Sequence, residues 1–146
     1  MTTSDSTLNT QHLIIHTDGG SRSNPGPAAT GVVVLSNNEV IYEHGTYLGV
    51  ATNNEAEYSA VVEALKWVSS NYTETVPQLT FKLDSQLVVE QLNRHWKIKE
   101  PRLQQFANQI WDLINARHLM ATFSYIPRAQ NACADRQVNL TLDNQA

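Results

Sequence analysis

The sequence predicts an α/β domain: a five-stranded mixed sheet, three antiparallel strands followed by two parallel ones, with helices on both faces. Three observations predict it. Apolar, β-branched runs crowd the first third of the chain; two more short runs follow, separated by long stretches of helical periodicity; and the resulting order βββαβααβα places crossovers only after the third strand.

Residues 13 to 17 (LIIHT) form a short apolar run that stops at Asp18, and the Gly and Pro of the following GGSRSNPGPA interrupt strand and helix alike, so a buried strand followed by a loop is expected. Residues 31 to 35 (GVVVL), an Asn37-Asn38 turn and residues 40 to 48 (VIYEHGTYL) read as a β-hairpin. Asn53 or Asn54 caps a helix over about 55 to 70, with Glu55 and Glu57 near the positive end of its dipole and Tyr58, Val61, Val62, Leu65 and Val68 as its apolar stripe. After Pro77, residues 79 to 83 (LTFKL) make a fourth strand ending at Asp84, and 85 to 92 a helix with Leu87, Val88 and Leu92 facing inward. Pro101 suits the first turn of a long helix to about 117, in which Leu103, Phe106, Ile110, Leu113 and Ile114 repeat at helical spacing. Residues 120 to 126 (MATFSYI) are a fifth strand, and 131 to 142 a final short helix.

At 146 residues, 41% hydrophobic and 16% charged, the chain has the size and composition of one soluble globular domain. That domain is expected over residues 12–142, between a disordered tail at 1–11 and a short tail at 143–146. No apolar run approaches the roughly 20 residues that span a bilayer, and the polar start MTTSDSTLNTQ lacks the basic and apolar segments of a signal peptide. Cytoplasmic residence without membrane association is the expectation. The single Cys133 cannot form an internal disulfide and reads as a small filler residue.

A net charge of −4 and a pI near 5.6 exclude a protein that holds nucleic acid by overall charge, so any such contact must be local. One local cluster exists: Arg94, Lys97, Lys99 and Arg102, with His95 and Trp96 among them. It suits a solvated helix end as well as a phosphate-binding face.

Four carboxylates stand where the elements can bring them together: Asp18 after the first strand, Glu57 in the first turn of a helix, Asp84 at the end of the fourth strand and Asp135 at the opening of the last helix. In an open α/β sheet, ligand clefts form beyond the carboxyl ends of the parallel strands. Hard oxygen ligands suit Mg²⁺ or Mn²⁺, and the scattered His12, His16, His44, His95 and His118 offer no ligand spacing for zinc. Mutual repulsion among such acids is tolerable beside a cation. Singly, each is also an ordinary cap or turn residue.

Four segments recur in order on these elements: TDGGSRSNPGP at 17 to 27, TNNEAEY at 52 to 58, LDSQLVVEQL at 83 to 92 and IPRAQNACAD at 126 to 135. Together they resemble the ribonuclease H type I family over about residues 12 to 142. The resemblance implies an RNase H-like fold and an endonuclease that hydrolyses the RNA strand of RNA/DNA hybrids, leaving a 5′-phosphate and a 3′-hydroxyl. Asp18, Glu57, Asp84 and Asp135 match the family's metal-binding acids; motif match selects Glu57 over Glu55. The expected cofactor is a pair of Mg²⁺ ions, with Mn²⁺ a substitute. Two metals about 3.5 to 4 Å apart can activate a water and neutralise a leaving oxygen. Asp18 is expected to bridge them, with Glu57 and Asp84 on one ion and Asp135 on the other.

The same likeness implies recognition through the hybrid's minor groove, where 2′-hydroxyls distinguish RNA from DNA. By motif match Gly19, Gly20, Ser21, Asn24, Asn53, Asn54 and Gln86 line that contact; Asn24 and Asn54 read equally as turn and cap residues. Thr52 is expected to help seat a phosphate of the DNA strand, and Trp96, Lys97 and Lys99 to flank that strand, although Trp96 reads equally as core. A monomer with no obligatory protein partner is expected.

Two departures stand out. Many family members carry a histidine in the loop before the last acid; between Tyr125 and Asp135 this chain has none, and Arg128 is the cationic candidate there, for phosphate or for solvent. Some members carry a basic protruding helix after the central one, for which the segment 94 to 102 is too short. Both features point to a subgroup lacking them, with weaker hybrid affinity and steep salt dependence. The competing reading is a non-catalytic hybrid-binding module on the same fold, which needs Asn54, Gln86 and the basic stretch but not all four acids.

Overall fold

The computed structural model describes residues 11–145; the tail expected over 1–11 lies outside the described residues except for Gln11, whose carbonyl accepts a hydrogen bond from the Gln78 amide. The expected mixed sheet is present. β1 (His12–Ser21), β2 (Gly26–Ser36) and β3 (Glu39–Ala51) form an antiparallel meander, followed by α1 (Asn53–Asn71), β4 (Gln78–Leu83), α2 (Gln86–Leu92), α3 (Pro101–Ala116), β5 (Met120–Tyr125), a single 3-10 turn (Arg128–Asn131) and α4 (Ala132–Asp143). The spatial order is β3-β2-β1-β4-β5, with β4 parallel to β1 and β5 parallel to β4.

The first strand corrects the sequence reading. β1 does not end at Asp18 but continues through Gly19 and Gly20 to Ser21, and β2 begins at Gly26, so much of the expected loop is strand. The antiparallel ladder Asp18↔Gly31, Gly19↔Thr30, Gly20↔Ala29 and Ser21↔Ala28 satisfies the backbone that a glycine pair would otherwise leave free. Of the two glycines, only Gly19 is required for clearance. A Cβ on Gly19 would collide with the α1 backbone at Ala56, whereas one on Gly20 would only touch Val138 of α4. Parallel pairing of β1 with β4 stops at His16 and Lys82, so the two strands part just before Asp18 and Asp84. This opens the cleft beyond the sheet's carboxyl ends.

α1 lies against β1 and β2, with α3 beside it, on one face of the sheet; α4 lies against β1, β2 and β3 on the other. Side-chain alternation along β2 records the two faces, because the Thr30 hydroxyl donates to Glu63 of α1 while Gly31 sits under the Ala134 carbonyl of α4. All five residues of the expected α1 stripe are buried, together with Leu13, Ile15, Leu79, Phe81, Leu83 and Ile110. A smaller cluster of Ala29, Val138 and Leu142 fixes α4. In α2 the inward residues are Val88, Val89 and Leu92, and Leu87 is only half-buried, a one-residue rotation from the expected face.

The cap of α1 also differs from expectation. Thr52, not Asn53 or Asn54, is the N-cap: its side chain accepts from the Glu55 amide and the Glu55 carboxylate accepts from the Thr52 amide. Likewise Ser85 rather than Asp84 caps α2, accepting from the Val88 amide. These caps free Asn53 and Asp84 for other contacts.

Candidate acidic active site

Each acid is placed by a different element. Asp18 is carried inside β1, Glu57 in the second turn of α1, Asp84 just past the end of β4, and Asp135 in the first turn of α4. Carboxylate oxygens of Asp18, Glu57 and Asp84 all lie within 4.8 Å of one another. Asp135 lines the same cavity, of about 390 Å³, and its side chain accepts from the Asn139 amide nitrogen at 3.2 Å.

The electrostatics of this cluster are severe. Asp18 is 3% exposed and Glu57 7% exposed, so neither charge is solvated by bulk water. Burial, then the neighbouring charges of Asp84 and Asp135, pushes the Asp18 carboxyl up to about 7. Burial, followed by the charges of Asp18 and Asp84, raises Glu57 well above the usual carboxylate range, with Arg128 opposing. Glu57 Oε1 is buried without any hydrogen-bond partner among the described residues. A buried carboxylate with an orphaned oxygen, clustered with two more carboxylates, costs stability unless a cation or proton stands there. The donor set is all oxygen, so it fits a hard divalent metal.

Around the acids, Gly19, Gly20, Ser21, Asn53 and Arg128 line the cavity. The Asn53 side-chain oxygen accepts from the Ser21 amide at 2.9 Å, and Asn24 Oδ1 accepts from the Asn53 backbone amide at 3.0 Å. Asn24 thus supports Asn53 from outside the cavity. Asn54 and Gln86, in the first turns of α1 and α2, also lie outside it, and Thr52 is occupied as a cap. Trp96 and Lys97 line a separate groove with Arg94, Ile98, Gln104 and Trp111, while Lys99 is exposed nearby. Trp96 is 45% exposed and so is not core. Of the four cations in that stretch, Arg94 stacks on the Trp111 ring and Arg102 pairs with Glu55 at 3.2 Å; Lys97 and Lys99 have no ion-pair partner among the described residues.

Sequence reasoning assigned no role to Arg22 or Asn131. Arg22 lines the cavity and pairs with Asp143 at 2.7 Å, tying the β1–β2 turn to the end of α4. Asn131 is fully buried, and its side chain bonds to Asp84, to the Thr17 carbonyl and to His16. An asparagine before a helix looks in sequence like any cap, so no local signal separates it.

Fold and site together define an RNase H-like domain with a buried acidic cluster suited to divalent metal. Known proteins place it further. The profile of the reverse transcriptase-like family matches residues 16–141, and the chain belongs to that family, with a domain of the ribonuclease HI type. The Bifunctional protein Rv2228c of Mycobacterium tuberculosis is 38% identical over 137 residues, covering 92% of this chain and 36% of the relative. Ribonuclease HI of Halobacterium salinarum is 37% identical over 133 residues, covering 87% of this chain and 62% of the relative. The crystal structure of LC11-RNase H1 in complex with RNA/DNA hybrid superposes with a TM-score of 0.88 at 36% identity, covering 91% of this chain and 98% of that one. The chain thus spans only about a third of the length of the mycobacterial relative.

Proposed function

We propose that the chain is a metal-dependent endonuclease that hydrolyses the RNA strand of RNA/DNA hybrids, leaving 5′-phosphate and 3′-hydroxyl ends. The single observation that carries this reading is the buried cluster in which carboxylate oxygens of Asp18, Glu57 and Asp84 lie within 4.8 Å of one another, with Glu57 Oε1 left without a hydrogen-bond partner among the described residues. A module that only bound hybrids would have no use for buried charge held at such cost. Likeness to LC11-RNase H1, crystallised in complex with RNA/DNA hybrid, supports the substrate class.

In this reading Asp18, Glu57, Asp84 and Asp135 hold two Mg²⁺ ions, or Mn²⁺ in their place. Bound divalent metal supplies a hydroxide-like water at neutral pH and neutralises charge on the phosphoryl and leaving oxygens. The protein's part is to hold the acids fixed and shielded from bulk water. Ser21 occupies the Asn53 oxygen, so the Asn53 amide nitrogen is left to donate to a minor-groove acceptor, such as a base edge or a 2′-hydroxyl. Gly19 and Gly20 are assigned to the minor-groove contact through their backbone, although the missing side chain of Gly19 makes room for α1. Arg128 is taken as a phosphate contact beside the acids. Thr52 and the Trp96, Lys97 and Lys99 groove are assigned to the DNA strand, with Asn24, Asn54 and Gln86 supporting the minor-groove contact. The direct passage from α2 to α3 over residues 93–100 supports membership of the subgroup without a basic protrusion, as the absence of histidine between Tyr125 and Asp135 supports the subgroup without the loop histidine. The reading carries with it a monomer working in the cytoplasm.

The test is a hybrid with both strands labelled, incubated with and without EDTA. The wild type should shorten only the RNA strand, EDTA should stop it, and Asp18→Asn should abolish cleavage while hybrid binding persists. Equal cleavage by the variant would refute the assignment.

A further inference from the structure

We propose that Asn131 is a positioning residue for the acidic site: its amide holds one oxygen of Asp84, leaving the other for the cation, and His16 locks that amide in place. The inference rests on the metal-dependent reading above. Asn131 Nδ2 lies 2.8 Å from Asp84 Oδ2 and 2.9 Å from the Thr17 carbonyl oxygen, and Oδ1 lies 2.9 Å from His16 Nδ1.

The chemistry of the partners fixes the orientation. A carbonyl and a carboxylate only accept, so both must face the nitrogen end of the amide. The oxygen end then faces His16, whose Nδ1 must carry the hydrogen. Each hydrogen of the Asn131 amide nitrogen therefore has one acceptor, and rotation of the amide would turn oxygen against oxygen at two of the three contacts.

Location argues the same way. Asn131 stands at the N-cap of α4, where an asparagine side chain ordinarily accepts from the helix's own amides. Here it makes no cap hydrogen bond and points into the sheet, with no exposed surface. It joins β1, the end of β4 and the start of α4, the elements that carry Asp18, Asp84 and Asp135. Asp84 is the least enclosed of the three clustered acids, being half-buried on a short connection between β4 and α2. A carboxylate on such a connection gains most from a second anchor. Groups that orient ligands in this way typically contribute about 10- to 100-fold to metal affinity or activity.

The test is calorimetric titration of Mn²⁺ into metal-free protein, with the thermal melt of each sample recorded beforehand. The wild type should take up Mn²⁺; if it does not, the metal reading itself falls. Asn131→Ala should bind about tenfold more weakly while still melting cooperatively, and wild-type affinity in that variant would overturn the inference alone. Should Asn131→Ala not fold, the pair His16→Phe and His16→Gln decides. Phenylalanine suits a strand but cannot donate, and should weaken Mn²⁺ binding several-fold; glutamine can donate and should restore it. Equal affinity in the two His16 variants would overturn the inference.

Discussion

Gly19 and Ala56 meet backbone to backbone: a methyl group at position 19 would stand 2.2 Å from the Ala56 carbonyl carbon. The contact sets the distance between the strand that carries Asp18 and the helix that carries Glu57.

Gly19→Ala should therefore damage the site more than its size suggests. No flexible side chain can yield, so α1 must shift, and overpacking of this kind costs about 1–3 kcal/mol. Displacement of a catalytic group by about 1 Å costs on the order of 10²-fold in rate. The paired control is Gly20→Ala, whose added carbon would lie 3.8 Å from Val138, an ordinary contact. Thermal melts and hybrid cleavage should separate the two variants; similar activity in both would show that the Gly19 clearance does not set the site.

Stability without metal should fall as pH rises. The folded Asp18 carboxyl, raised to about 7 from 3.8, keeps its proton where the unfolded chain has lost it, so across that window the native state binds more protons and each increment of pH disfavours it. Glu57 shifts in the same direction. The loss should amount to a few kcal/mol between pH 4 and pH 7, because each tenfold difference in proton affinity between the folded and unfolded chain is worth about 1.4 kcal/mol. Melting temperatures in EDTA should decline over this range, Mg²⁺ should reverse the decline, and Asp18→Asn should flatten it. A metal-free profile that rises with pH would contradict the electrostatics of the cluster.

Thr52 offers a separation of cap from contact. Thr52→Ala and Glu55→Ala each break the reciprocal cap of α1 and should each lower stability by about 1 kcal/mol. If Thr52 also seats a phosphate, only Thr52→Ala weakens hybrid binding and reduces its salt slope, while Thr52→Ser retains both. Binding isotherms at two salt concentrations measure this. Equal hybrid affinity in the two alanine variants would leave Thr52 as a cap alone.

The number of strands and the buried face of α1 were legible because their signals are periodic. Leu65 and Val68 repeat at helical spacing and Val32 to Val34 as a β-branched run, whatever lies around them. Asp18, Glu57 and Asp84 were legible by motif, since three segments far apart in sequence carried them in register. The extent of β1 was not, because Gly19, Gly20 and Pro27 argue locally against strand, and only pairing with β2 overrides that preference. Thr52 was passed over as cap because Asn53 and Asn54 are equally good candidates by type, and the choice depends on the reciprocal bond from Glu55. Asn131 was hidden for a related reason: its three partners lie 47 to 115 residues away, and nothing local marks it.

The bonds that Asn53 accepts from Ser21 and donates to Asn24 have a mechanical consequence. They stitch the tip of the first hairpin to the start of α1, so the rim of the cleft and its floor form one stiff piece. A duplex leaning on that rim would press on the same strand that bears Asp18, and docking and alignment would become a single event.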